Sequence, residues 1–144
     1  MAKEQFRLAA KLHLAEYRLE QVQASLADEQ LRLLACAKAR EHQAQKVAET
    51  IAKQRQAALS SPDQLGQWQV YLQAQNYELA KRKKEYSSQM EKVEQVRNDL
   101  IAAYQEVKKL EKLKQKHIQA LRAQTLKREQ AVLDERAQLR SVCP

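Results

Sequence analysis

Three histidines, two cysteines and two pairs of adjacent carboxylates are the groups in this 144-residue chain that could carry out chemistry. His13, His42 and His117 are dispersed, with no second histidine at metal-ligand spacing and no carboxylate pattern around them, so they read as solvated residues rather than ligands. Cys36 and Cys143 lie in different regions and form no CxxC. They read as two reduced thiols, with Cys143 open to an adventitious intermolecular disulfide. Asp28–Glu29 and Asp134–Glu135 fall at positions that read as exposed, without the burial that suits a carboxyl to acid catalysis. A single glycine, Gly66, leaves no glycine-rich phosphate loop. No catalytic residue, cofactor or metal is expected.

What remains is basic charge. "KRKK" spans residues 81–84, and "KKLEKLKQKH" at 108–117 carries five lysines and a histidine against Glu111 alone. Such runs could neutralise phosphates. RNA binding usually adds exposed aromatics for base stacking, whereas Trp68 and the tyrosines mostly fall on or beside an apolar seam. A basic nucleic-acid-binding arm is therefore the alternative reading, and a solvated helix face the preferred one.

These residues sit on elements that composition restricts severely. There is one glycine, there are two prolines (Pro62 and Pro144), and charged residues make up 31%. Helix formers dominate, and the regular turn residues of a β protein are missing. The net charge of +8 is spread along the chain, with +3 in residues 1–61 and +5 in residues 62–144, unlike the segregated tail of a nucleic-acid arm. No window approaches the roughly 18 apolar residues of a membrane helix, and Lys3, Glu4 and Arg7 interrupt any signal-peptide core. A cytoplasmic protein without membrane insertion is expected.

Every internal chain breaker falls in "LSSPDQLG" at 59–66. Ser61 suits an N-cap, Pro62 the first helical position, and Gln64 completes a capping box with Ser61. Asp63 adds favourable charge to the first turn. The expectation is one all-α domain over residues 1–144: a helix at 3–59, a turn at 60–62 and a longer helix at 62–141, folded as an antiparallel two-helix coiled-coil hairpin. At about 1.5 Å per residue the helices measure roughly 85 and 120 Å. A two-helix hairpin offers no concave pocket for catalysis.

The apolar spacing agrees. Leu8, Leu12, Ala15, Leu19, Val22, Leu26, Leu33 and Cys36 alternate in steps of four and three, with Glu29 in one slot. Val47 and Ile51 are expected to continue that stripe with a shift, beyond a polar stretch around Arg40 and Gln43. In the second helix Leu65, Leu72, Leu79, Tyr86, Val93, Leu100 and Val107 recur at intervals of seven, with Trp68, Val96, Ala103 and Leu110 between them, a sustained heptad that predicts a left-handed supercoil. Gln75 departs from the apolar pattern. A turn centred near Pro62 would set residue i opposite residue 124 − i, placing Leu8 near Lys116 and Leu110 near Leu14. Residues from Gln124 onward would then outrun the first helix while still carrying Leu126, Val132, Leu133 and Leu139.

Three segments in order resemble the FliJ family of flagellar type III export coiled-coil proteins, with the YscO-like injectisome stalks similar in plan. They are "FRLAAKLHLAEYRLEQVQASLADEQ" from Phe6, "WQVYLQAQ" after the turn, and "KKLEKLKQKH" leading to "LKREQAVLDERAQLR". The resemblance covers nearly the whole chain. It implies a non-enzymatic stalk that enters an export ATPase hexamer by the end carrying both termini and engages the cytoplasmic domain of the export gate near the turn. The implied ring contacts are Phe6, Arg7, Arg122, Lys127, Arg128, Glu129, Gln130, Asp134 and Glu135, and the implied gate contacts are Tyr71, Leu72 and Leu79. It also allows the escort of export chaperones, a general export-chaperone role, and a place at the periphery of the inner-membrane export apparatus. The oligomeric expectation is a monomer or a weak homo-oligomer.

Overall fold

The computed structural model describes residues 2–142, with side chains over 7–142. Helix α1 runs Ala2–Ser60, a single turn of 3-10 helix covers Pro62–Gln64, and helix α2 runs Leu65–Val142. The fold is all-α: two antiparallel helices of a coiled-coil hairpin pack on each other, and the second is the longer. Among the described residues there is no strand, and no helix is long and apolar enough to cross a membrane.

The connection differs from the expected capping box. Ser61 is followed by proline at the first position, yet its side chain makes no capping bond. Both donors that such a box would use are already taken by the backbone. The Ser61 N–H donates to the Ala57 carbonyl at 2.7 Å, and the Gln64 N–H donates to the Ser61 carbonyl at 3.1 Å. A tight 3-10 turn thus closes before α2 begins at Leu65. Gly66 lies within that first α turn without a positive φ.

Two compact units divide the chain, residues 21–101 and residues 1–20 with 102–144. In the first, the seam of α1 keeps its four–three rhythm without a shift: Glu29, Leu33, Cys36, Arg40, Gln43, Val47, Thr50, Gln54 and Ala57 are all buried or half-buried. Ile51, expected in the stripe, is on the outside, and Thr50 takes the slot at 4% exposed. The polar residues stay in frame because each finds a partner. The Thr50 hydroxyl donates to the Lys46 carbonyl at 2.7 Å, and Gln43 donates to Gln75 across the seam at 2.6 Å. Gln89 donates to the Glu29 carboxylate and to the Glu29 backbone carbonyl.

The Gln43–Gln75 and Glu29–Gln89 pairs set residue i opposite residue 118 − i, six positions from the expected register. The connection is not a symmetric cap. On this register Leu65, the first residue of α2, falls level with Lys53 rather than with the end of α1. Leu59, left beyond that level, is 89% exposed.

In the other unit, Leu12, Val107 and Leu110 form a buried cluster with Leu8, Ala15 and Leu19 packed against it. Leu8 therefore meets the Leu110 region instead of Lys116, and Leu14, expected near Leu110, is 70% exposed. No large side chain is sealed completely from solvent among the described residues, which is the geometry of a core only two helices thick. Burying a leucine here contributes roughly 1.5–3 kcal/mol.

Candidate functional site

The surface that the seam does not use begins where the α2 heptad loses its partner. Val107 and Leu110 are buried, Lys114 is exposed, His117 and Leu121 are half-buried, and every residue over 122–142 is exposed. On the register of residue i opposite 118 − i, Ala2 at the start of α1 falls level with Lys116, so α1 does not face α2 beyond that level. The seam positions after Leu121, namely Gln124, Arg128, Ala131, Glu135 and Gln138, are polar or small. The helix nevertheless keeps large apolar groups, with Leu126 65%, Val132 48%, Leu133 57% and Leu139 67% exposed. A shallow hollow of about 420 Å³ lies along this stretch, lined by Arg128, Glu129, Val132, Leu133 and Arg136. Arg136 belongs to that lining and is not among the residues expected from sequence.

The structure gathers Arg122, Lys127, Arg128, Glu129, Gln130, Asp134 and Glu135 on this bare length of α2, where all are exposed. Gln130 donates to the Asp134 carboxylate at 3.4 Å. Arg7, also exposed, is not brought to them. Its neighbour Leu8 packs on the Leu110 cluster, roughly 18 Å along α2 from Arg122 at about 1.5 Å per residue. The side chain of Phe6 and the whole of Cys143 lie outside the described residues.

Near the turn the second set divides. Leu72 and Leu79 are half-buried seam residues, whereas Tyr71 is 49% exposed and meets Trp68 edge-on, with ring centroids 6.1 Å apart at 84°. A hollow of about 550 Å³ opens beside them between Trp68, Tyr71, Thr50, Lys46 and Lys53. Leu79 lines a separate hollow of about 560 Å³ with Arg40 and Tyr86, where the Arg40 guanidinium stacks 4.2 Å from the Tyr86 ring centre. Sequence reading overlooked Val70 and Tyr77, which are 68% and 76% exposed. Their signal was available, since both are apolar at positions off the heptad.

The lysine runs resolve individually. Arg82 of "KRKK" is half-buried in the seam and reaches out to Glu78 and Glu85, each at 3.3 Å. Lys81 and Lys84 line an open trough of about 490 Å³ with Ser88, Lys92 and Cys36. In "KKLEKLKQKH", Lys108 sits 5.4 Å from the Tyr104 ring centre and 3.6 Å from the Glu111 carboxylate. Tyr104, and after it Glu111, hold its ammonium above the ordinary lysine value, so it remains charged throughout the neutral range. Among the described residues, no cluster of three or more His, Cys, Asp or Glu side chains could hold a metal ion.

A family model described as flagellar FliJ protein matches residues 5–142. No match was found among curated proteins or among solved structures.

Proposed function

Because the chain belongs to the flagellar FliJ family, we propose that it acts as a non-enzymatic stalk of the flagellar type III export apparatus, entering the export ATPase ring and coupling it to the export gate. One observation carries this reading. The helix over 122–142 is exposed at every position yet interleaves leucines and valine with charges of both signs. A helix surface of this kind, covered by no other described element, suits contact with several subunits of a ring, where mixed charge favours encounter and exchange over permanent locking. Arg122, Lys127, Arg128, Glu129, Gln130, Asp134 and Glu135 supply those contacts in this reading.

Tyr71, with the Trp68 hollow beside it, is the proposed contact for the cytoplasmic domain of the gate. Leu72 and Leu79 support it from the seam rather than touching the partner with their whole side chains. The protein would work at the periphery of the inner membrane and could hand over export chaperones there. The test is a pull-down and a turnover assay with the cognate export ATPase. Salt-sensitive binding together with a change in hexamer formation or ATP hydrolysis supports the stalk reading, and the absence of both sinks it.

A further inference from the structure

The apolar face of the bare helix is not a continuation of the seam. At 100° per residue, Leu126, Glu129, Val132, Leu133, Arg136 and Leu139 lie on one arc, turned roughly 130° about α2 from the line of Gln124, Arg128, Ala131, Glu135 and Gln138. No lengthening of α1 along its seam would cover it. Glu129 and Arg136 occupy the centre line of the arc, with Leu126 and Leu133 on one side and Val132 and Leu139 on the other. Among the described residues neither Glu129 nor Arg136 takes part in an ion pair; the pairs that α2 forms lie earlier in the helix, at Arg82 with Glu78 and Glu85, Arg97 with Glu94, and Lys108 with Glu111.

The order of residues on this arc is complementary to its own reverse. We propose that the face is the contact between two copies of this chain, joined antiparallel about a two-fold axis between Val132 and Leu133. That axis sets Leu126 against the partner's Leu139, Val132 against the partner's Leu133, and Glu129 against the partner's Arg136, and each pairing occurs twice, as an isologous interface requires. A parallel pairing would instead put Glu129 level with a second Glu129 and Arg136 with a second Arg136. Because the face is only about two heptads long, the dimer is weak, at the low end of interface size. Its residues include Glu129, which the stalk reading assigns to the ATPase ring, so on that reading the two contacts compete for this face.

Sedimentation velocity on the isolated full chain, under reducing conditions that remove any Cys143 disulfide, tests this without reference to the ATPase. The expected result is a weak dimer whose share grows with concentration. Glu129→Arg and Arg136→Glu should each weaken it about tenfold or more, and the double reversal Glu129→Arg/Arg136→Glu should restore it to within about threefold. Circular dichroism on each variant separates lost pairing from lost helix. A chain that stays monomeric to about 1 mM, single reversals that dimerise like the parent, or a double reversal that fails to recover would each overturn the proposal. If the monomer's face is protected only when export ATPase is added, that partner is the occupant, which overturns the dimer while leaving the stalk reading intact.

Discussion

Gln43 donates its side-chain amide to two oxygens of Gln75, the backbone carbonyl at 3.0 Å and the side-chain oxygen at 2.6 Å, from a position 6% exposed within the interhelical seam. The two glutamines break the apolar pattern of their helices separately and satisfy one another across it. A buried polar pair of this kind contributes little net stability but restricts register, because any sliding of the helices leaves its donors unpaired.

That arrangement fixes the outcome of a double-mutant cycle. Gln43→Leu should cost about 0.5–1.5 kcal/mol, since it leaves the half-buried Gln75 side chain without its donor, whereas Gln75→Leu should cost less, because Gln43 keeps its bond to the backbone carbonyl of residue 75. The double substitution should be close to neutral or stabilising, as expected when apolar residues replace both members of a buried polar pair. Urea unfolding followed by circular dichroism gives the three values. Additive costs in the double variant would mean that the hydrogen bond does not couple the two sites.

The second cross-seam pair responds to charge. Gln89 is 8% exposed and gives its amide to Glu29, whose side chain is 16% exposed and also meets Arg32 at 3.3 Å. Gln89→Glu replaces the donor with a second carboxylate, and two carboxylates sharing a half-buried site repel. The variant should lose about 2 kcal/mol at neutral pH. The sign is set by protonation: the loss should shrink as pH falls far enough for one carboxylate to take up a proton, so the variant and parent stabilities converge in acid. Thermal melts at neutral and acid pH check this, and a penalty that does not change with pH would count against direct contact.

The hairpin and its two helices were legible because the heptad in α2 and the lone run of breakers at 59–66 are local signals. The register was not. It is displaced by six residues across a connection in which α1 continues to Ser60 and a 3-10 turn follows, with backbone bonds that pre-empt the capping side chains, and no spacing in the sequence reports which donors the backbone takes first. The shift expected after Arg40 failed for a related reason. Ile51 is the more apolar neighbour of Thr50, but the frame is held by partners thirty residues or more away in sequence, as in Gln43–Gln75. The candidate site was half legible: its exposed leucines could be counted, while the direction of their face required the seam to be located first.

The frame itself can be tested by truncation of neighbouring apolar residues. Val47 is 9% exposed and Ile51 is 36% exposed. Val47→Ala should cost about 1–2.5 kcal/mol for lost burial and the space left behind. Ile51→Ala, although it removes the larger side chain, should cost under about 1 kcal/mol. Denaturant midpoints with unchanged slopes would report the difference, and the reverse order would restore the shifted stripe.

Gly66 offers a gain. It lies in a helical turn without a positive φ, and a Cβ added there would meet nothing within 4 Å. Its only effect on stability is then the conformational freedom it gives the unfolded chain. Gly66→Ala should stabilise the protein by about 0.5–1 kcal/mol, seen as a rise of a few degrees in the melting midpoint. A loss would mean that the start of α2 needs backbone freedom that the structure does not use.

The bare end of α2 should separate function from folding. Residues 124–142 are exposed throughout, whereas the Leu12, Val107 and Leu110 cluster lies wholly before them. A chain ended after Ala123 therefore keeps every buried contact of both units. Its midpoint in urea should move little, by less than about 1 kcal/mol of stability, and the helical signal should fall only by the share of the residues removed. The same variant should lose its effect on export ATPase turnover and its self-association together, because Leu126, Glu129, Val132, Leu133 and Arg136 go with the segment. Retained ATPase stimulation would move the ring contact back towards Arg7 and the paired part of the hairpin. A large loss of stability would instead show that this segment packs on the described core in solution.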